Sequence, residues 1–143
     1  MENTILIASD HGGFALKEAI KQKFPAYEWI DLGTHSTESV DYPDFGFKLA
    51  EGIAAGKAPR GIAICGSGIG ISIAVNRNPA VRGALCSDVT MARLCRQHND
   101  ANVLVLGERT TGVETAFQMV DAFLNTDFEG GRHAGRVIKL SEG

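Results

Sequence analysis

Short apolar runs alternate along the chain with stretches of helical period, and this alternation limits the fold more than any other feature. Strands are expected at Ile5 to Ala8, Glu28 to Leu32, Gly61 to Cys65, Arg82 to Cys86 and Asn102 to Leu106. Helices are expected near Phe14 to Phe24, Asp44 to Ala55, Gly70 to Asn76, Val89 to Arg96 and Val113 to Leu124, with a last one near Arg132 to Leu140. Repeated βα units of this kind wrap around a parallel sheet, here of five buried strands. Pro25, Gly33, Pro43, Pro59, Pro79 and Gly107 punctuate the proposed elements, and Pro43 suits the opening turn of a helix. The length, 143 residues, suits one domain spanning 1–143. The final helix has no strand to return to, so it packs either on its own sheet or on a partner subunit.

Charge and cysteine usage remove several function classes. Fourteen Lys and Arg stand against seventeen Asp and Glu, a net charge of −3, which argues against general nucleic-acid binding. The first residues lack a basic and then apolar leader, and no apolar run approaches the roughly 20 residues of a membrane helix. A cytoplasmic place is therefore expected. Cys65, Cys86 and Cys95 cannot all pair within one chain and show no zinc-ligand spacing. An anionic ligand would need local positive charge, and the C-terminal stretch supplies Arg132, Arg136 and Lys139, with His133 beside them.

Open α/β sheets bind ligands beyond the carboxyl ends of their strands. Two segments there can carry chemistry: Ser9-Asp10-His11-Gly12-Gly13 and Cys65-Gly66-Ser67-Gly68-Ile69-Gly70. In the second, glycines let the backbone approach a ligand while amide groups of the next helix start turn toward it. It lacks the third glycine of a dinucleotide fingerprint, where Ile71 stands, and the Lys-Ser or Lys-Thr of a P-loop. Cys65 is either a reactive sulfur favoured as thiolate by that amide-rich loop, or simply the last buried residue of its strand. Cys86 and Cys95 read as inert core thiols. Asp10 and His11 either face a cleft or cap the next helix. Gln97-His98-Asn99-Asp100 is a polar cluster before a strand, where a plain turn is the competing reading. Arg109 follows the fifth strand. Arg132 and Arg136, four apart on one helix face, suit either a phosphate or solvent.

Five segments in order, Ser9 to Gly13, Asp41-Tyr42-Pro43, Cys65 to Ser72, Arg96 to Asp100 and Glu129 to His133, resemble type B ribose 5-phosphate isomerase nearly end to end. The same superfamily includes galactose 6-phosphate and allose 6-phosphate isomerases. The resemblance implies a Rossmann-like three-layer α/β/α sandwich, no metal or other cofactor, and a homodimer, or a tetramer, with active sites shared between subunits. It implies Cys65 as proton acceptor and His98 as proton donor in ring opening. Asp10, His11, Gly66, Ser67, Gly68, Ile69, Gly70, Asn99, Arg109, Arg132 and Arg136 correspond to substrate-binding positions. Some relatives use a Glu at or near Ser72 as base. This chain has no acid in that loop, which favours the thiol. One geometric expectation is independent of the resemblance: His98 precedes its strand and Cys65 ends another, so in a parallel sheet they lie at opposite edges. His98 and at least one arginine would then reach the thiol from a second subunit.

Overall fold

Five parallel strands in the order β2-β1-β3-β5-β4 form the centre of the computed structural model, which describes residues 2–143. The strands are β1 (Thr4–Ser9), β2 (Glu28–Asp31), β3 (Arg60–Cys65), β4 (Gly83–Leu85) and β5 (Val103–Gly107). Side chains alternate between the two faces, as the strand period of 2 requires. Ile5, Ile7, Ile62, Ile64, Leu104 and Leu106 pack on one face beneath α1 (Phe14–Lys23), α4 (Val89–Asn99) and α5 (Val113–Asn125). Leu6, Ala63, Cys65, Val103 and Val105 pack on the other, beneath α2 (Tyr42–Ala54) and α3 (Ile69–Val75). The result is the expected three-layer α/β/α sandwich. A last helix, α6 (Arg132–Glu142), lies against α4.

Two expectations need correction. Only β1, β3 and β5 are buried, apart from the opening residues Thr4 and Arg60, whereas β2 and β4 close the sheet as half-exposed edges. Each edge strand has sheet on one side alone, so its side chains keep contact with solvent. The polar run at Gln97 to Asn99 is the last turn of α4 rather than a loop. That helix stops only at Asp100, whose left-handed φ of 47° turns the chain while its N–H still donates to the Arg96 and Cys95 carbonyls. Pro43 sits in the first turn of α2, where a missing N–H costs no helical hydrogen bond.

The strand order places the ligand site. From β1 the chain moves outward to β2, then crosses back to β3, so α1 and α2 lie on opposite faces and a crevice opens between the carboxyl ends of β1 and β3. Those two ends carry the Ser9 to Gly13 and Cys65 to Gly70 segments.

Candidate active site

At the carboxyl edge, backbone contacts hold three loops together. The amides of Glu108 and Arg109, just beyond β5, donate to the carbonyls of Cys65 (3.0 Å) and Gly66 (2.8 Å). The Glu108 carboxylate accepts from the Leu16 amide at 2.7 Å, which ties the same loop to the first turn of α1. Arg109 runs alongside Gly66: a Cβ there would stand 3.6 Å from the arginine Cδ and Nε. Gly12 is packed as closely, since a Cβ on it would meet the Gly66 nitrogen at 3.3 Å. The crevice is lined by main chain because glycine occupies both sides of it.

Cys65 is 4% exposed, and its Sγ accepts from the Gly68 amide at 3.2 Å. Gly68 makes this possible through its φ of 78°, a conformation that a side chain would oppose, with Leu85 and Leu106 closing off the space. Ser67 Oγ accepts from the Ile69 amide, and Ser72 Oγ is occupied with the Ile69 carbonyl. Among the described residues no protein group accepts from the amides of Gly66, Ser67 and Gly70. These free donors belong to the same short loop as the sulfur, the kind of backbone segment that makes a nest for an anion.

Asp10 and His11 are both anchored. Asp10 caps the short 3-10 turn of His11–Gly13 through the Gly13 amide at 3.1 Å, so the capping role weighed above is real. It is also placed beside Gly12, which itself abuts Gly66 in the crevice. His11 Nδ1 accepts from the Val40 amide at 3.1 Å, so a neutral ring carries its proton on Nε2. Tyr42 was not among the expected site residues. Its ring rests on Gly70, where a Cβ would come within 2.5 Å of the aromatic carbons. The Asp41-Tyr42-Pro43 segment, which opens α2, was its sequence signal.

The other expected residues gather elsewhere. His98, in the last turn of α4, stacks on His133 of α6 with ring centroids 4.5 Å apart. Glu129 Oε1 stands 3.8 Å from His133 Nε2. Burial holds the His133 pKa below its usual value; His98 and Arg132 push it further down, with Glu129 opposing. Asn99, Arg132 and Arg136 are exposed on this same side. Cys65 pairs with Gly107 at the far end of β5, while His98 precedes Val103 at its start. Four residues of strand separate the two positions by about 13 Å. One chain thus brings Cys65, Asp10, His11 and Arg109 together at one edge. It brings His98, His133, Arg132 and Arg136 together near the other.

The family model for Ribose/Galactose Isomerase matches residues 5–140. The chain belongs to the ribose/galactose isomerase family. Membership makes it a sugar isomerase, and the resemblance to type B ribose 5-phosphate isomerase is borne out by individual relatives. Ribose-5-phosphate isomerase B of Escherichia coli is 46% identical over 139 residues, covering 96% of this chain and 93% of that protein. A putative sugar phosphate isomerase of Rickettsia bellii is 48% identical over 141 residues, covering 95% and 96%. Among solved structures, ribose-5-phosphate isomerase B of Clostridium thermocellum matches with a TM-score of 0.94 at 55% identity, covering 97% of this chain and 95% of that one. The Mycoplasma genitalium enzyme with bound ribulose-5-phosphate matches at 0.91 and 39%, covering 97% and 94%. The sandwich seen here is therefore the fold of this isomerase family.

Proposed function

We propose that this isomerase interconverts ribose 5-phosphate and ribulose 5-phosphate, opening the furanose and passing through a cis-enediolate, with Cys65 as the base. The observation that carries the reading is the Cys65 sulfur, 3.2 Å from the Gly68 amide, in a loop whose Gly66, Ser67 and Gly70 amides donate to no protein group among the described residues. An enediolate reaction needs a base and an anion hole side by side, and this loop supplies both. Pentose phosphates are the substrate class to test first, because the Escherichia coli relative is a ribose-5-phosphate isomerase and the Mycoplasma genitalium structure holds ribulose-5-phosphate.

In the forward direction His98 donates a proton to the ring oxygen while water accepts the proton of the anomeric hydroxyl, which opens the sugar to an aldehyde. The Cys65 thiolate then takes the proton on C2, and negative charge develops on O1 as the C1–C2 double bond forms. Amides of the Gly66 to Gly70 loop hold that charge. Loss of one such donor costs about 2.7–4 kcal/mol of transition-state stabilisation. Ser67 or Asp10 carries a hydroxyl proton from O2 to O1, and the Cys65 thiol returns its proton to C1. Arg109, Arg132 and Arg136 bind the phosphate, and His11 and Asn99 bind sugar hydroxyls.

These groups lie at two edges of one sheet, so the working site joins the Cys65 edge of one chain to the His98 edge of a second copy, in a dimer or tetramer. Exposed apolar residues support a covering partner: Ile69 (56% exposed) and Ile73 (61%) lie one turn apart on α3, and Ile138 (59%) lies on α6. The α6 helix then packs on the partner as well as on its own α4. A cytoplasmic place is supported by three free thiols, and no helix among the described residues is long and apolar enough to cross a membrane.

Turnover on ribose 5-phosphate, allose 6-phosphate and galactose 6-phosphate tests the substrate assignment. The reading predicts the highest kcat/KM on ribose 5-phosphate. A preference for either six-carbon sugar would transfer the same mechanism to that substrate, and binding without turnover of all three would make the chain a sugar-phosphate sensor instead.

A further inference from the structure

His98, Glu129 and His133 offer one donor atom each, and the three atoms lie within 4.8 Å of one another. From this geometry we propose that these residues form an inhibitory site for zinc or a similar borderline transition-metal ion. The inhibitory half rests on the role given above to His98; the binding half does not.

Three observations support the site. Two imidazoles and one carboxylate are a donor set that zinc accepts, with one position left open, whereas magnesium and calcium prefer oxygen alone. The 3.8 Å between Glu129 Oε1 and His133 Nε2 is too long for a hydrogen bond. It is near the roughly 3.4 Å that separates two ligands bound at about 2.1 Å to one tetrahedral ion. The three donors are also tethered. His133 is 7% exposed and stacked on His98, and the Glu129 amide donates to the Gln97 carbonyl at 3.0 Å, which clips its loop to the end of α4. Closing the remaining gap falls to the half-exposed Glu129 side chain.

Arg132 and Arg136 share α6 with His133 and oppose any cation. That repulsion disfavours ions held by charge alone and leaves those that bond strongly to imidazole nitrogen. An ion on His98 occupies a ring nitrogen that would otherwise carry the proton given in ring opening, so turnover of ribose 5-phosphate should fall as zinc is added and recover with a chelator.

The test uses cobalt(II) as a spectroscopic probe on the full-length Cys65→Ser protein, which removes the competing thiol. The expected result is uptake of one ion per chain with the intense visible bands of a four-coordinate site. Glu129→Gln and His133→Asn should each weaken uptake more than about tenfold. On the otherwise unaltered enzyme, Glu129→Gln should keep basal turnover and need more than about tenfold more zinc for the same inhibition. Uptake that disappears with Cys65→Ser, that ignores both substitutions, or that leaves turnover intact would overturn the proposal. The cobalt measurement involves no sugar, so it can fail while the isomerase reading stands, and the reverse.

Discussion

The two edges of the sheet are built differently. Around Cys65 most contacts are made by main chain: the Gly68 amide reaches the sulfur, the Glu108 and Arg109 amides reach the Cys65 and Gly66 carbonyls, the Leu16 amide at the start of α1 donates to the Glu108 carboxylate, and glycines keep the walls thin. Around His98 the working groups are side chains on helix surfaces, and Gly130, Gly131 and Gly135 have open space where a Cβ would stand. The contrast fits a division of labour. Proton abstraction beside an anion hole tolerates errors of a few tenths of an ångström, which backbone anchored to a central strand can guarantee. Ring opening and phosphate capture are served by long side chains that adjust to the sugar.

Substitutions at each edge should therefore fail in different ways. The largest effect is expected for Cys65→Ser: turnover, and exchange of the C2 proton with deuterated solvent, should fall by about 10³-fold or more while substrate still binds. Near-normal exchange would move the base elsewhere. His98→Asn should slow ribose 5-phosphate by about 10²-fold. It should spare erythrose 4-phosphate, whose phosphorylated O4 prevents a furanose from closing, and equal losses on both would remove the ring-opening role. Glycine substitutions sharpen the contrast further. A Cβ at Gly107 would lie 2.5 Å from the Ser67 carbonyl, so Gly107→Ala should displace the anion loop and cut kcat about tenfold or more. Gly135→Ala, in a helix and facing open space, should raise stability by about 0.5–1 kcal/mol in thermal unfolding.

A smaller effect is expected under acid. Asp31 at the end of β2 is mostly buried, which alone would raise its pKa, but hydrogen bonds from Lys17, Lys21 and the Gly33 amide hold it below 3.8. The Lys17 hydrogen bond likewise leads in lowering Glu18. A carboxyl depressed by folding adds stability above its unfolded value, and this is lost as pH falls through the folded one. Unfolding measured from pH 5 to pH 2 should thus show a decline below about pH 4 that is shallower in Asp31→Asn. Because Gly33 in turn accepts from the Ser9 amide, the same variant should loosen the Asp10 loop and leave the His98 edge unaltered.

The central strands and most helix limits were legible because burial on both faces forces continuous apolar runs such as Ile62 to Cys65. The edge strands were read as buried although their segments are less apolar, with Glu28 and Asp31 in β2 and Arg82 just before β4, as suits strands with sheet on one side alone. Helix α4 was cut short at Arg96 since Gln97, His98 and Asn99 have turn composition, and its true stop depends on Asp100 adopting a left-handed conformation. Within the site, the glycines after a strand end marked the Cys65 loop, and strand direction placed His98 at the opposite edge. Tyr42 on Gly70, Glu108 on the first turn of α1 and His133 on His98 did not. Each joins residues distant in the chain, through contacts that no local pattern encodes.

The shared site is tested most directly by mixing. Cys65→Ser and His98→Asn proteins, each nearly inactive, are unfolded together and refolded as a mixture. If the site combines one chain's Cys65 with another's His98, half of the dimers are mixed and one of their two sites is intact, so about one quarter of wild-type activity should return. If both residues serve the same site from one chain, no activity beyond that of the separate variants would appear.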